Sequence, residues 1–110
     1  KTFLKGIYAP IGQDGWHPKT GERRYFDQQP EDVSAMVCAL STAWTITGKQ
    51  IYRKLMYDAF NWFLGDNSLK QVVYDRSTGG CYDGLGESQI NLNQGAESTT
   101  SYLLARLALQ

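Results

Sequence analysis

Cysteine and histidine are scarce in this 110-residue chain, which holds two of the former, Cys38 and Cys81, and one of the latter, His17. A zinc site needs closely spaced cysteine or histidine pairs, so this supply excludes one, and neither a metal nor another cofactor is expected. Two distant cysteines do not make the disulfide framework of a small secreted scaffold. Cys38, inside an apolar run, reads as a small buried hydrophobe. An excess of charge of one sign is missing too. Eleven Lys and Arg balance eleven Asp and Glu, which excludes counterion-driven partners such as nucleic acid or an anionic membrane. No apolar run reaches the roughly 20 residues of a membrane-spanning helix, and the first residues lack the apolar centre of a signal peptide. The chain therefore reads as soluble and cytoplasmic. No Met opens it, and it reads as a processed product or a piece of something longer.

What is present is the material for a core. Hydrophobic residues make up 42% and aromatic residues 13% of the chain, a globular composition. Residues 1–29 show no sustained period, because Pro10, Gly12, Gly15, Pro18 and Gly21 punctuate them too often for a helix, and they read as loop. From Pro30 the pattern changes. Val33, Met36, Val37, Leu40, Ala43 and Trp44 share one helical face, Pro30 suits the first helical position, and Glu31 and Asp32 complement the helix dipole. This predicts a helix over 30–46. Gly48 ends it in a left-handed conformation, and Thr47 with Gln50 has capping-box spacing for a second helix. That helix carries an Ile51, Leu55, Ala59 and Trp62 stripe beside a Tyr52, Met56, Phe60 and Phe63 stripe, and the short connection makes residues 30–64 an αα-hairpin. Residues 65–94 form a Gly-rich loop in which 72–74 read as a short strand or an extended segment. A third helix is predicted from about 95 to 109, apolar on most of its circumference and hence buried on more than one side. The class is all-α, and three helices with two long loops leave apolar faces uncovered. More chain or another copy is expected to cover them.

Four constellations carry candidate chemistry. Asp27, Gln28 and Gln29 precede the first helix. They fit two readings: satisfaction of the unpaired N–H groups of its first turn, or planar amides and a carboxylate gripping paired sugar hydroxyls. Asn93, Gln94 and Glu97 crowd the start of the third helix. Capping explains part of that cluster, but a carboxylate on a helix expected to be buried is either bonded structurally or a functional acid or base. In Gly79-Gly80-Cys81-Tyr82-Asp83-Gly84 the glycines allow close approach to a ligand, with Tyr82 and Asp83 presented, and a plain turn is the alternative. The loop from Asp75 fails as a calcium loop, since its twelfth position is Gly86, and no phosphate-loop pattern occurs. Trp16 and His17 complete the set as a pocket lining or a loop anchor.

At Phe26-Asp27-Gln28-Gln29-Pro30, Trp62-Phe63-Leu64-Gly65-Asp66-Asn67, Thr78-Gly79-Gly80-Cys81-Tyr82-Asp83-Gly84-Leu85 and Asn91-Leu92-Asn93-Gln94-Gly95-Ala96-Glu97-Ser98-Thr99, the chain resembles a known family. It is similar to the C-terminal part of the helical αα-toroid domain that accompanies bacterial glycosyltransferases and related sugar-processing proteins. The resemblance covers roughly residues 16–109 and departs at Glu31, where an apolar residue is more familiar. It implies an arc of a larger ring whose loops line a carbohydrate cleft. It further implies that the separate nucleotide-sugar-binding domain of such proteins lies outside this segment, so the segment alone does not transfer sugar. Asp83 and Glu97, with Asp27 in reserve, are then the catalytic candidates, and Gln28, Gln29, Tyr82, Asn93, Trp16 and His17 the substrate-binding ones. A carbohydrate substrate is the expected partner, together with the remainder of a longer chain or a second copy. A non-catalytic module that binds glycan or packs against a neighbouring domain is the competing reading.

Overall fold

The computed structural model describes residues 3–4, 7–10, 28–86 and 88–109. Trp16, His17 and Asp27 lie outside the described residues, as does most of the expected opening loop. Within it, β1 (Phe3–Leu4) pairs antiparallel with β2 (Ile7–Tyr8). The first helix, α1 (Pro30–Thr47), runs one residue past its predicted end. Pro30 stands at its start, Glu31 and Asp32 lie in its first turn, and Gly48 at φ 68° forms its C-cap, donating its N–H to the Trp44 carbonyl at 2.7 Å. A residue with a Cβ pays to occupy that left-handed conformation, which is why glycine stands there.

The next helix, α2 (Gln50–Phe60), begins without the expected capping box. Its N-cap is Lys49 and no side chain caps it; the Thr47 hydroxyl instead donates back to the Ala43 carbonyl and accepts the Lys49 N–H. Back-bonding of this kind competes with capping for the same oxygen. A 3₁₀ turn, Asn61–Leu64, continues α2 and ends at Gly65. With a two-residue connection, α1 and α2 pack as an αα-hairpin, and α3 (Ala96–Ala108) packs against α1. The chain is thus mostly helical, with α1 in the middle.

The core follows the predicted faces. Val33, Val37 and Leu40 of α1 meet Met56, Ala59 and Phe60 of α2, with Trp62, Phe63 and Tyr102 beneath. Full burial of one such side chain contributes roughly 1.5–3 kcal/mol. Phe63 lies edge-on to both Trp62 and Tyr102 at 5.3 and 5.2 Å, and Tyr74 stacks on Tyr102 at 4.2 Å. Two apolar expectations need correction. Cys38 is exposed, because it falls on the α1 face turned away from both neighbours; both cysteines are free. α3 is buried along a single stripe, Ser98, Ser101, Tyr102 and Ala105, while Leu103, Leu104 and Leu107 remain about half exposed or more. Ile51 of the α2 stripe is likewise exposed.

Residues 65–94 are more ordered than a loop. The Asn67 side chain donates to the carbonyls of Trp62 and Gln71, both at 2.8 Å, and accepts the N–H groups of Leu69 and Gln71. It folds the chain tightly enough that Lys70 takes φ 54°, a conformation that costs a side-chain-bearing residue about 1 kcal/mol. Val73 is extended and buried, Tyr74 bridges Cys81, and β3 (Gly84–Leu85) pairs antiparallel with β4 (Ile90–Asn91). Among the described residues no helix is long and apolar enough to cross a membrane.

Candidate functional site

The two glutamines before α1 part company. Gln28 is fully buried, and its backbone exchanges two hydrogen bonds with Leu85 at 2.8 and 2.7 Å. Its side-chain oxygen accepts the Trp62 indole N–H at 2.9 Å, and its amide nitrogen donates to the Ser68 hydroxyl at 3.1 Å. Such a group satisfies the polar edge of a buried tryptophan and ties the α1 start to the Asn67 loop and β3; it does not reach solvent. Gln29, the N-cap of α1, is half-buried and points its chemistry the other way.

Gln29 lines a cleft of about 400 Å³ together with Glu31, Asp83, Asn91, Gly95, Ala96, Glu97 and Ser98. Two helix starts meet here: Glu31 sits in the first turn of α1 and Glu97 in the first turn of α3. Both side chains are exposed at its rim. Glu31 is nevertheless raised from its ordinary value, first through partial desolvation, then through the neighbouring Glu97 carboxyl and the charge of Asp32. A second carboxyl close by disfavours the charged form of Glu31.

Asp83 is engaged differently. Its carboxylate accepts the Gly95 N–H at 2.7 Å, and its own N–H donates to the Asn93 carbonyl at 2.8 Å. A Cβ on Gly95 would stand 3.0 Å from the Asp83 carboxylate, so glycine lets this contact close. Asp83 and Glu97 therefore line one cleft. Asn93 contributes through its backbone carbonyl, and its side chain is not part of the lining.

Tyr82 also stands apart from the cleft. It is half-buried, and its hydroxyl donates to Asp75 at 3.3 Å. Asp75 organises the Gly-rich turn: it accepts from the Ser77 N–H and hydroxyl at 2.9 and 2.7 Å and from the Gln94 amide at 2.9 Å. These bonds, those of Ser77 first, hold its carboxyl down to about 2. Gln94 thus latches α3's leading segment to the turn, its oxygen accepting the Thr78 hydroxyl at 2.8 Å, and it caps no helix. Gly80 leaves room for this latch, since a Cβ there would push the Gln94 amide aside. Burial, with the Asp83 charge second, pushes the Cys81 thiol up to about 12, which makes it an inert core residue rather than a nucleophile.

Glu31 is the cleft residue that sequence reasoning missed as chemistry. Its first-turn position has a sufficient explanation in the helix dipole. The available signal was symmetry: Glu97 holds the corresponding place in α3, and glutamates at two helix starts converge when the starts do. Among the described residues no group of three or more His, Cys, Asp or Glu is arranged to hold a metal ion. No protein-family model matches this chain, and no curated protein matches it.

Proposed function

We propose that this chain is a carbohydrate-active helical domain, an arc of an αα-toroid belonging to a glycosyltransferase-associated or glycosidase-like protein, with the cleft between the α1 and α3 starts as its sugar site. The convergence of Glu31, Asp83, Glu97, Gln29 and Asn91 on one cleft carries the reading. Carboxylates and planar amides around a solvent-filled space suit the paired hydroxyls of a sugar. The apolar surface left by Leu103, Leu104 and Leu107 is what an arc would present to the rest of a ring.

Within this reading Glu97 is the acid or base. A glycosidase needs its two carboxyl groups about 5–5.5 Å apart for retention or 6.5–9.5 Å for inversion. Glu31 and Glu97 stand together at the rim, so Glu31 acts as the neighbour that positions Glu97, and Asp83 is the second carboxylate of the cleft. The competing role, a glycan-binding or domain-packing module, is favoured by one observation: the Asp83 carboxylate already accepts the Gly95 N–H.

Replacing Glu97 with Gln in the full-length protein separates the two. Turnover of the sugar substrate is lost with the melting temperature unchanged if Glu97 is catalytic. Unchanged turnover supports the binding module, and a lowered melting temperature with turnover intact reduces Glu97 to a structural role.

A further inference from the structure

A second concavity, of about 360 Å³, lies where the end of α2 meets the end of α3 and shares no residue with the cleft. Its walls include Phe60, Leu64 and the stacked pair Tyr74 and Tyr102, whose rings lie 4.2 Å apart and within 7° of parallel. Arg76, from the turn after Tyr74, and Arg106, from the last turn of α3, complete it. Both arginines are exposed, and neither has a carboxylate partner among the described residues, where the one ion pair is Lys54 with Asp58. Arg106 makes a single long bond, 3.4 Å, to the Tyr102 hydroxyl. A cation at the C-terminal end of α3 complements the helix dipole, but that argument does not reach Arg76.

We infer that this concavity is a second binding site, one that takes a monosaccharide bearing a carboxylate or phosphate. Two guanidinium groups from different elements, without a carboxylate partner among the described residues, line one concavity with the exposed Leu64 and the half-buried Tyr74, and fit an anion carried on a ring: the forks grip the oxygens, and Leu64 and Tyr74 supply the apolar contact. The volume sits near the bottom of the roughly 300–1,000 Å³ range of ligand pockets, room for one ring with its charged group. The choice of a sugar over an aromatic acid rests on the proposed carbohydrate reading; the choice of an anion does not. The site is distinct from the cleft, since Glu97 and Arg106 are nine residues apart on α3, roughly 14 Å along its axis.

Calorimetric titration of the full-length protein tests the inference, using glucuronate, glucose 6-phosphate, glucose, inorganic phosphate and benzoate as probes. Saturable binding of glucuronate or glucose 6-phosphate is expected, with the stronger of the two identifying the anion, and with glucose not binding this site. Arg76→Gln and Arg106→Gln should each weaken it about tenfold while leaving the melting temperature unchanged, and Glu97→Gln should leave it unaltered. Equal binding of inorganic phosphate would overturn the ring, and preferential binding of benzoate would overturn the sugar while leaving the anion site standing. Absence of saturable binding, or sedimentation showing that a second copy covers Leu64, would overturn the site altogether.

Discussion

Two polar clusters stand at the start of α1, one residue apart in sequence, and they are built on opposite terms. Around Gln28 the hydrogen bonds end on protein, among them those to Trp62, Ser68 and the Leu85 backbone, with Asn67 closing the adjoining loop. Around Gln29 the groups face a cleft, and the Glu31 and Glu97 carboxyls stand at its rim. A closed network fixes a fold because breaking one member strands its partner in a dry interior. An open one holds its groups ready for a ligand that supplies the missing partners.

The contrast predicts where substitutions hurt. Asn67→Ala is expected to be the most damaging, by about 3 kcal/mol, since it removes four side-chain hydrogen bonds to the backbone of Trp62, Leu69 and Gln71 at once; chemical denaturation measures it, and a loss below a third of that would mean water replaces the side chain. Trp62→Phe should follow at about 2 kcal/mol, leaving the Gln28 oxygen without its donor in the core. Gly80→Ala should cost less than about 1 kcal/mol, because the atom it strikes is the end of a flexible side chain that can swing away. It should also release Gln94 from Asp75 and raise the Asp75 carboxyl from about 2, read by carbon NMR.

The pH responses of the clusters differ in sign. Asp75 is depressed on folding, so its contribution is present above its ordinary value of 3.8 and disappears as pH falls through about 2. Glu31 is raised, so whatever stability its protonated form contributes is present at low pH and lost as pH rises through its folded value. Glu31→Gln should accordingly match the wild type in acid and gain on it as pH rises through the carboxylate range. A difference that does not change with pH would mean that Glu31 is not raised on folding.

Much of the helical frame was legible because it rests on local rules. The Val33 to Leu40 face, Pro30 at the helix start and Gly48 at its end each follow from spacing or backbone preference within a few residues. What was not legible depends on which face meets which neighbour. Cys38 sits in an apolar run yet faces outward, and Leu104 belongs to an apolar helix of which one stripe is covered. Gln28 and Gln29 are chemically identical in sequence, and only the position of Trp62, far along the chain, separates an anchor from a cleft residue. The Thr78 to Gln94 latch, the Asp83 to Gly95 bond and the Glu31 to Glu97 contact are all long-range pairings that no local spacing announces.

The most direct test of the division is thermal melting of Gln28→Ala and Gln29→Ala in the full-length protein, with and without a panel of neutral oligosaccharides. Gln28→Ala should melt several degrees lower, about 2–8 °C for each kcal/mol lost, and still be stabilised by sugar. Gln29→Ala should melt with the wild type and lose the sugar-induced shift. The reverse pattern, a destabilised Gln29 variant that keeps the shift beside a stable Gln28 variant that loses it, would contradict the assignment of one cluster to the fold and the other to the ligand.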